Sequence, residues 1–519
     1  MKRDEMDRDP HAAVEVRGWP VPHRALDILD AILCIAAVVF VIPPLFDPNV
    51  HLGLSRTNLI LFWLLLFVRA QLRSQSGRPR WWGRVLPFLS PAVESLFVGL
   101  VFLLIYVGVS QYRVWPSGDT VPAKLLPISI LSQHNLDLSE FLQGINIYRQ
   151  YGLFRMGDHY LSAYPPGTAL TALPIYAVFR VLFPESFHSW HWVYALESGD
   201  DLPNVVNLME QYSAGIIAAL AVMVFYRFCL NVTRTRGISL WLALAYGLGT
   251  SLFSTGSLSL WQHGPACLFL GLMFLLLLKA ETGSAWRIVL AGLCAGWVYV
   301  CRPTAAVIIA VTFAWTVVRF RWRSAWFALS CGAVLAGLLA WNQMVYGSPA
   351  GGYTQTTVDF VPFRLTVFLS LLFSPSRGLF VFSPFLLFAV ALGLRHAIRS
   401  PLDLPAFLLY GALATVVLFS CWETWAGGAC FGPRYLCEAG LLLALILPYG
   451  ARALRSRPAL WGLFVFTVLL SCHIHILGAR WGDREWTVQV QANHWDDVAT
   501  LWKWRDSQLM WTLDGAPKP

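Results

Sequence analysis

Runs of about 17–25 apolar residues recur along almost the whole chain, and a run of that length crosses the hydrocarbon core of a bilayer as one helix. They fall near 27–46, 56–70, 87–109, 210–230, 238–257, 263–279, 287–301, 304–318, 326–346, 378–394, 404–421, 436–450 and 459–478. The shortest lie below the usual span length, so their helices are expected to extend beyond these limits. The stretch 287–318 is divided at Pro303, because Cys301-Arg302-Pro303 sets a charge and a helix breaker in mid-run. A water-soluble chain of 519 residues needs a charged surface, whereas this one is 57% hydrophobic and 13% charged. The expected fold is therefore an all-α polytopic membrane protein of about thirteen transmembrane helices. The first run follows a charged segment and lacks a small-residue cleavage site, so no cleavable signal peptide is expected.

The net charge is +9, and its distribution carries more than its sum. More than half of the 38 basic residues fall into short clusters. Lys2, Arg3, Arg8, Arg17 and Arg24 precede the first run, and Arg69, Arg73, Arg78, Arg80 and Arg84 follow the second. Further clusters are Arg227, Arg234 and Arg236; Lys279 and Arg287; Arg319, Arg321 and Arg323; Arg395 and Arg399; and Arg452, Arg455 and Arg457. The positive-inside rule makes these connections cytoplasmic, which sets the N-terminus inside and the C-terminus outside. The same clusters are read as topology signals, with no nucleic-acid partner. The apolar stretch 168–183 would reverse the later clusters if it crossed, so it is read as a helix on the external membrane face. The stretch 363–373 is read likewise.

Three regions follow from this pattern. Residues 1–86 hold a cytoplasmic N-terminus and two extra spans. Residues 87–479 form the main transmembrane region, with a long external loop at 111–209. Residues 480–519 form a Trp-rich external tail, expected to fold over the external loops. Most of the ten cysteines sit inside apolar runs and read as small buried residues. Cys430 and Cys437 flank one external motif and are expected as free thiols. No Cys/His metal spacing appears, so no cofactor is expected and a divalent metal has no support.

Polar motifs gather at one predicted membrane face. Asp119 lies on a Gly turn, Ser117-Gly118-Asp119-Thr120, just past the third run. A carboxylate poised there serves as general base for an incoming hydroxyl or amine, or else caps the segment 121–131. Asp158 and His159 precede Tyr164-Pro165-Pro166-Gly167, a stiff turn into a helix. These loop residues suit a polar ligand, and equally suit a solvated loop. His263 lies in Trp261-Gln262-His263-Gly264-Pro265, Arg377 in Ser374-Pro375-Ser376-Arg377-Gly378, and Glu423 and Arg434 in the Gly-rich stretch 422–435. Arg302, Arg377 and Arg434 stand on the face that the positive-inside rule disfavours. A planar guanidinium fork suits a phosphate, although each alone also suits lipid headgroups.

These motifs resemble the GT-C class of membrane glycosyltransferases, which includes the protein O-mannosyltransferases and the lipid A aminoarabinose transferase. The resemblance covers roughly residues 90–440. Gly118-Asp119-Thr120 takes the place of the acidic loop motif after the first core helix, and Tyr164-Pro165-Pro166-Gly167 the place of the turn into a membrane-surface helix. The sequence departs from that pattern in two ways: Thr120 stands where a second acid is common, and two extra spans precede residue 72.

The resemblance implies sugar transfer from a polyprenyl-phosphate-linked donor to an acceptor at the external, periplasmic face of a bacterial inner membrane. In that reading Asp119 is the base and the reaction inverts the anomeric carbon. Arg302, Arg377 and Arg434 bind the donor phosphate. Asp158, His159, Tyr164, His263 and Glu423 contact sugar or acceptor. The alternatives are a transporter or flippase of a lipid-linked or anionic solute, and a non-catalytic relative that binds a lipid-linked sugar.

Overall fold

A computed structural model describes residues 13–16, 19–22, 32–33, 62, 64–66, 91–110, 118–144, 152–184, 205–352, 360–481, 486 and 497–514. The expected spans 27–46 and 56–70 fall largely outside the described residues. The described part is helical, with two short antiparallel hairpins. One pairs β1 (Ala13–Val16) with β2 (Trp19–Pro22), and the other pairs β3 (Leu153–Met156) with β4 (His159–Ser162).

Helix α1 (Pro91–Ser110) is followed by α2 (Val121–Ser132) and, after the second hairpin, by α3 (Gly167–Leu182). Then come α4 (Val205–Thr233), α5 (Arg236–Leu248), α6 (His263–Ala280), α7 (Trp286–Cys301), α8 (Ala306–Phe320) and α9 (Ser324–Tyr346). The last part holds α10 (Leu365–Phe373), α11 (Leu379–Phe382), α12 (Leu386–Arg399), α13 (Leu404–Ser420), α14 (Cys437–Arg455) and α15 (Pro458–Trp481). Two short tail helices, α16 (Val498–Leu501) and α17 (Gln508–Asp514), complete it.

Five stretches among the described residues are long and apolar enough to cross a membrane: Val206–Thr233, His263–Ala280, Pro303–Tyr346, Arg434–Arg455 and Pro458–Arg480. A sixth is Leu386–Arg399 with Leu404–Ser420, bent by 118° between its two helices. This makes a helical protein with membrane-type helices; among the described residues, helix length and composition give five or six candidate spans, and the expected count of about thirteen is not shown. Part of the difference lies in helix breaks. The 44-residue stretch Pro303–Tyr346 joins α8 and α9, which are parted at Arg321 by a left-handed φ of 53° and a 3-10 turn. The expected run 238–257 is interrupted as well. Helix α5 stops at Leu248, and a single π-turn occupies Leu252–Gly256. In this stretch Thr250, Ser251, Ser254, Thr255, Ser257 and Ser259 are all buried. Buried polar side chains such as these need partners. His475 of α15 serves that end, with Nδ1 2.8 Å from Ser254 Oγ and Nε2 3.0 Å from Ser383 Oγ.

The core has α14 near its centre, in contact with α4, α5, α6, α12, α13 and α15. On one side α1, α4, α6, α7 and α9 pack as successive neighbours, and on the other α8 lies against α13. Small residues allow the closest approaches. A Cβ on Gly292 of α7 would lie 2.4 Å from Phe327 O of α9, and one on Gly167 would lie 2.5 Å from Cys301 N. The second contact brings the start of α3 against the end of α7. There Arg302, in extended backbone with φ −150° and ψ 95°, follows the helix directly.

Helices α6, α7 and α14 have a common polarity. Each carries a member of the polar cluster described below at one end and a basic residue at the other: His263 and Lys279, Arg302 and Arg287, Glu438 and Arg452. The basic ends meet their neighbours. Arg287 Nη1 donates to Lys279 O at 2.6 Å, Arg452 donates to Thr233 O, and Arg319 Nε lies 2.8 Å from Glu281 Oε1. At the start of α5, Arg236 Nε lies 3.0 Å from Glu94 Oε2. An α6 of 18 residues separates its ends by about 27 Å, close to the hydrocarbon thickness of a bilayer.

Candidate functional site

Asp119 sits in a 3-10 turn, Gly118–Thr120, at the start of α2, with Thr120 in the capping position. Its Oδ2 lies 2.6 Å from Arg434 Nη1, and its Oδ1 accepts a 2.8 Å hydrogen bond from Tyr164 Oη. Tyr164 belongs to the Pro-Pro-Gly turn into α3, so the turn and the loop acid meet through this bond. A residue between β4 and α3 thus holds the acid in front of α2.

Arg434 reaches Asp119 from a loop that needs glycine. Gly427, Gly428 and Gly432 all have left-handed φ, at 80°, 65° and 65°, a region that side chains with a Cβ rarely adopt. The guanidinium lies 4.1 Å from the Trp261 ring centroid and 5.2 Å from that of Tyr435. It is 6% exposed, and its Nε is buried without a hydrogen-bond partner. Arg302 lies 5.7 Å from the rings of both Phe419 and Tyr435. Trp261, Arg434, Tyr435, Arg302 and Phe419 therefore form an alternating series of rings and cations.

Arg302 has its own carboxylate. Its Nε lies 3.1 Å from Glu438 Oε1, the atom that also lies 2.9 Å from His263 Nδ1. Glu438 is 1% exposed. Buried charge is retained only with partners, and this acid holds one arginine and one imidazole in fixed positions. A second buried pair braces the same end: Lys124 Nζ of α2 lies 3.1 Å from Glu210 Oε2 of α4, while Leu260 N donates to Glu210 Oε1 at 3.2 Å. It ties the helix behind Asp119 to the residue before Trp261.

Of the residues expected from the sequence, Asp119, Tyr164, His263, Arg302 and Arg434 come together. Arg377 lies beside them in another role. Its Nε and Nη2 donate to Ala426 O and Gly428 O, and its Nη1 donates to Ser376 O and Gln508 Oε1. It grips the loop that carries Arg434. Asp158 and Glu423 are exposed, and Asp158 lies 3.6 Å from Arg155. His159 is exposed at the β3–β4 hairpin, with Nδ1 2.6 Å from Asp137 Oδ2.

That hairpin pair is tightly held. Partial burial works against the charged form of Asp137, but hydrogen bonds from Ser139, His159 and the Tyr160 amide outweigh it and push its pKa down to about 2. The bond to Asp137 and its negative charge raise the His159 pKa. Among the described residues no group of three or more His, Cys, Asp or Glu side chains is arranged to hold a metal ion. Cys430 and Cys437 are both free thiols.

Glu438, Glu210 and Lys124 escaped the sequence reading. Glu438 opens an apolar run, four residues after Arg434, and an acid in such a place is itself a signal because it is costly there. Comparison with family models, with curated proteins and with solved structures finds no match to this chain.

Proposed function

We propose that this protein is a membrane glycosyltransferase that transfers a sugar from a polyprenyl-phosphate-linked donor to an acceptor at the non-cytoplasmic membrane face. The observation that carries the reading is the Asp119–Arg434 pair, 2.6 Å apart and joined from residues 315 positions apart. It sets a carboxylate and an always-charged guanidinium on one spot, beside a second arginine and aromatic rings. Such a cluster has what glycosyl transfer from a phosphate needs: a base, cations for the leaving group and flat apolar surfaces.

In the proposed reaction the acceptor hydroxyl or amine loses its proton to Asp119 as its oxygen or nitrogen attacks the anomeric carbon. The bond from that carbon to the donor phosphate oxygen breaks, and the electron pair leaves with the prenyl phosphate, opposite Arg302 and Arg434. The sugar inverts. Glu438 positions Arg302 and His263. Arg377 acts at one remove, through the loop that carries Arg434, and His263, on the same Glu438 oxygen as Arg302, is the proposed sugar contact.

The topology belongs to the same proposal. We read about thirteen spans, a cytoplasmic N-terminus, an external C-terminus and a bacterial inner membrane. The opposed ends of α6, α7 and α14 support a one-sided site, with the basic ends inside.

The test is release of prenyl phosphate from a panel of polyprenyl-phosphate sugars by purified protein in detergent. Asp119→Asn is expected to lose about a hundredfold or more of the rate. Full activity in that variant removes Asp119 as the base.

A further inference from the structure

We propose that Asp119 is the resting occupant of the phosphate position on Arg434, so that the donor must displace it before Asp119 becomes an available base. The inference rests on the glycosyl-transfer reading above and adds an order of events to it. A guanidinium keeps its charge at any ordinary pH, and a buried one demands an anion. Arg434 is 6% exposed, and in the unliganded protein that anion is the Asp119 carboxylate.

The two partners differ in freedom. Arg434 lies against Trp261 at 4.1 Å and near Tyr435 at 5.2 Å. The Asp119 side chain is 25% exposed and sits on a three-residue turn that begins with Gly118. The arginine is therefore the fixed member and the carboxylate the movable one. The fork also has spare capacity, since Arg434 Nε is buried with no hydrogen-bond partner. A phosphate with one oxygen on Nη1, where Asp119 now sits, and another on Nη2 would make the bidentate contact that arginine favours. Tyr164 Oη holds the other carboxylate oxygen, Oδ1. When the phosphate takes its place on Arg434, the carboxylate pivots about its bond to Tyr164 and Oδ2 is released toward an acceptor. Until then the base is neutralised by the arginine.

Binding of farnesyl phosphate to the full chain in detergent tests this, with inorganic phosphate and farnesol as separate arms. Asp119→Asn is expected to bind farnesyl phosphate about tenfold more tightly than the native chain, and Arg434→Gln about tenfold more weakly. Inorganic phosphate should show the same two directions at lower affinity, and farnesol neither. Asp119→Ser repeats the measurement if Asp119→Asn fails to fold. If both Asp119 variants bind no tighter while Arg434→Gln binds weaker, the displacement idea falls and the donor reading stands. If Arg434→Gln binds as the native chain does, or farnesol binds as well as farnesyl phosphate, both fall.

Discussion

At the scale of single residues, Glu438 has the most at stake for stability. It touches the Arg302 guanidinium and the His263 ring from the first turn of α14, and it is 1% exposed. Glu438→Ala leaves Arg302 charged and buried, at a cost of about 3–5 kcal/mol. Thermal unfolding in detergent should show a clearly lowered midpoint, with Glu438→Gln between the two. The Asp137–His159 pair gives a pH prediction. Asp137 has its pKa lowered from 3.8 to about 2, so its contribution is present above pH 3.8 and is lost as pH falls toward about 2. His159 has its pKa raised from 6.5, so its contribution is complete below pH 6.5 and is lost as pH rises through the raised value. Amide exchange at Tyr160 and Ser139, corrected for intrinsic rates, should show most protection between those limits. Sequence spacing alone offered Asp119 two roles, base or helix cap. Its contacts with Tyr164 and Arg434 could not be read from the spacing, because long chain separation hides them.

Elements decide how the cluster is held. The loop 426–434 is pinned from the tail by Gln508. Its Oε1 accepts from Arg377 Nη1 and Gly432 N, and its Nε2 donates to Cys430 O at 2.9 Å. Gln508 is fully buried, and Trp486 Nε1 donates to Asp506 O at 2.7 Å nearby. Gln508→Leu removes the partners of Gly432 N and Cys430 O, at about 1–3 kcal/mol for each one. The tail should then be cut sooner in limited proteolysis, with the loop following. Gly167 is the other control point, because any side chain there meets the backbone of Val300 and Cys301. Gly167→Ala should force α3 off α7, lowering both the unfolding midpoint and the transfer rate. Helix existence was legible from hydropathy: the run 326–346 is α9 and 404–421 is α13, within about two residues. The break inside 238–257 was not, because an apolar average does not register that Gly249 O and Ser254 find partners in Ser383 and in His475 of α15.

Across the whole molecule, the arrangement is one of opposed ends. At the ends opposite the cluster, Arg287 meets Lys279 O and Arg319 meets Glu281. The number of crossings was less legible, since α5, α7 and α8 are each shorter than a bilayer is thick. Epitope tags placed at 190 and 235 should report opposite sides of the membrane. A report of one side would undo the orientation proposed for the cluster. The central claim, that this cluster holds a polyprenyl phosphate, is tested most directly by mass spectrometry of the lipid that co-purifies with the protein. The native chain should retain a polyprenyl phosphate or its glycosylated form, and a folded Arg302→Gln/Arg434→Gln variant should lose it. Retention of no such lipid, or equal retention by both proteins, would contradict the account.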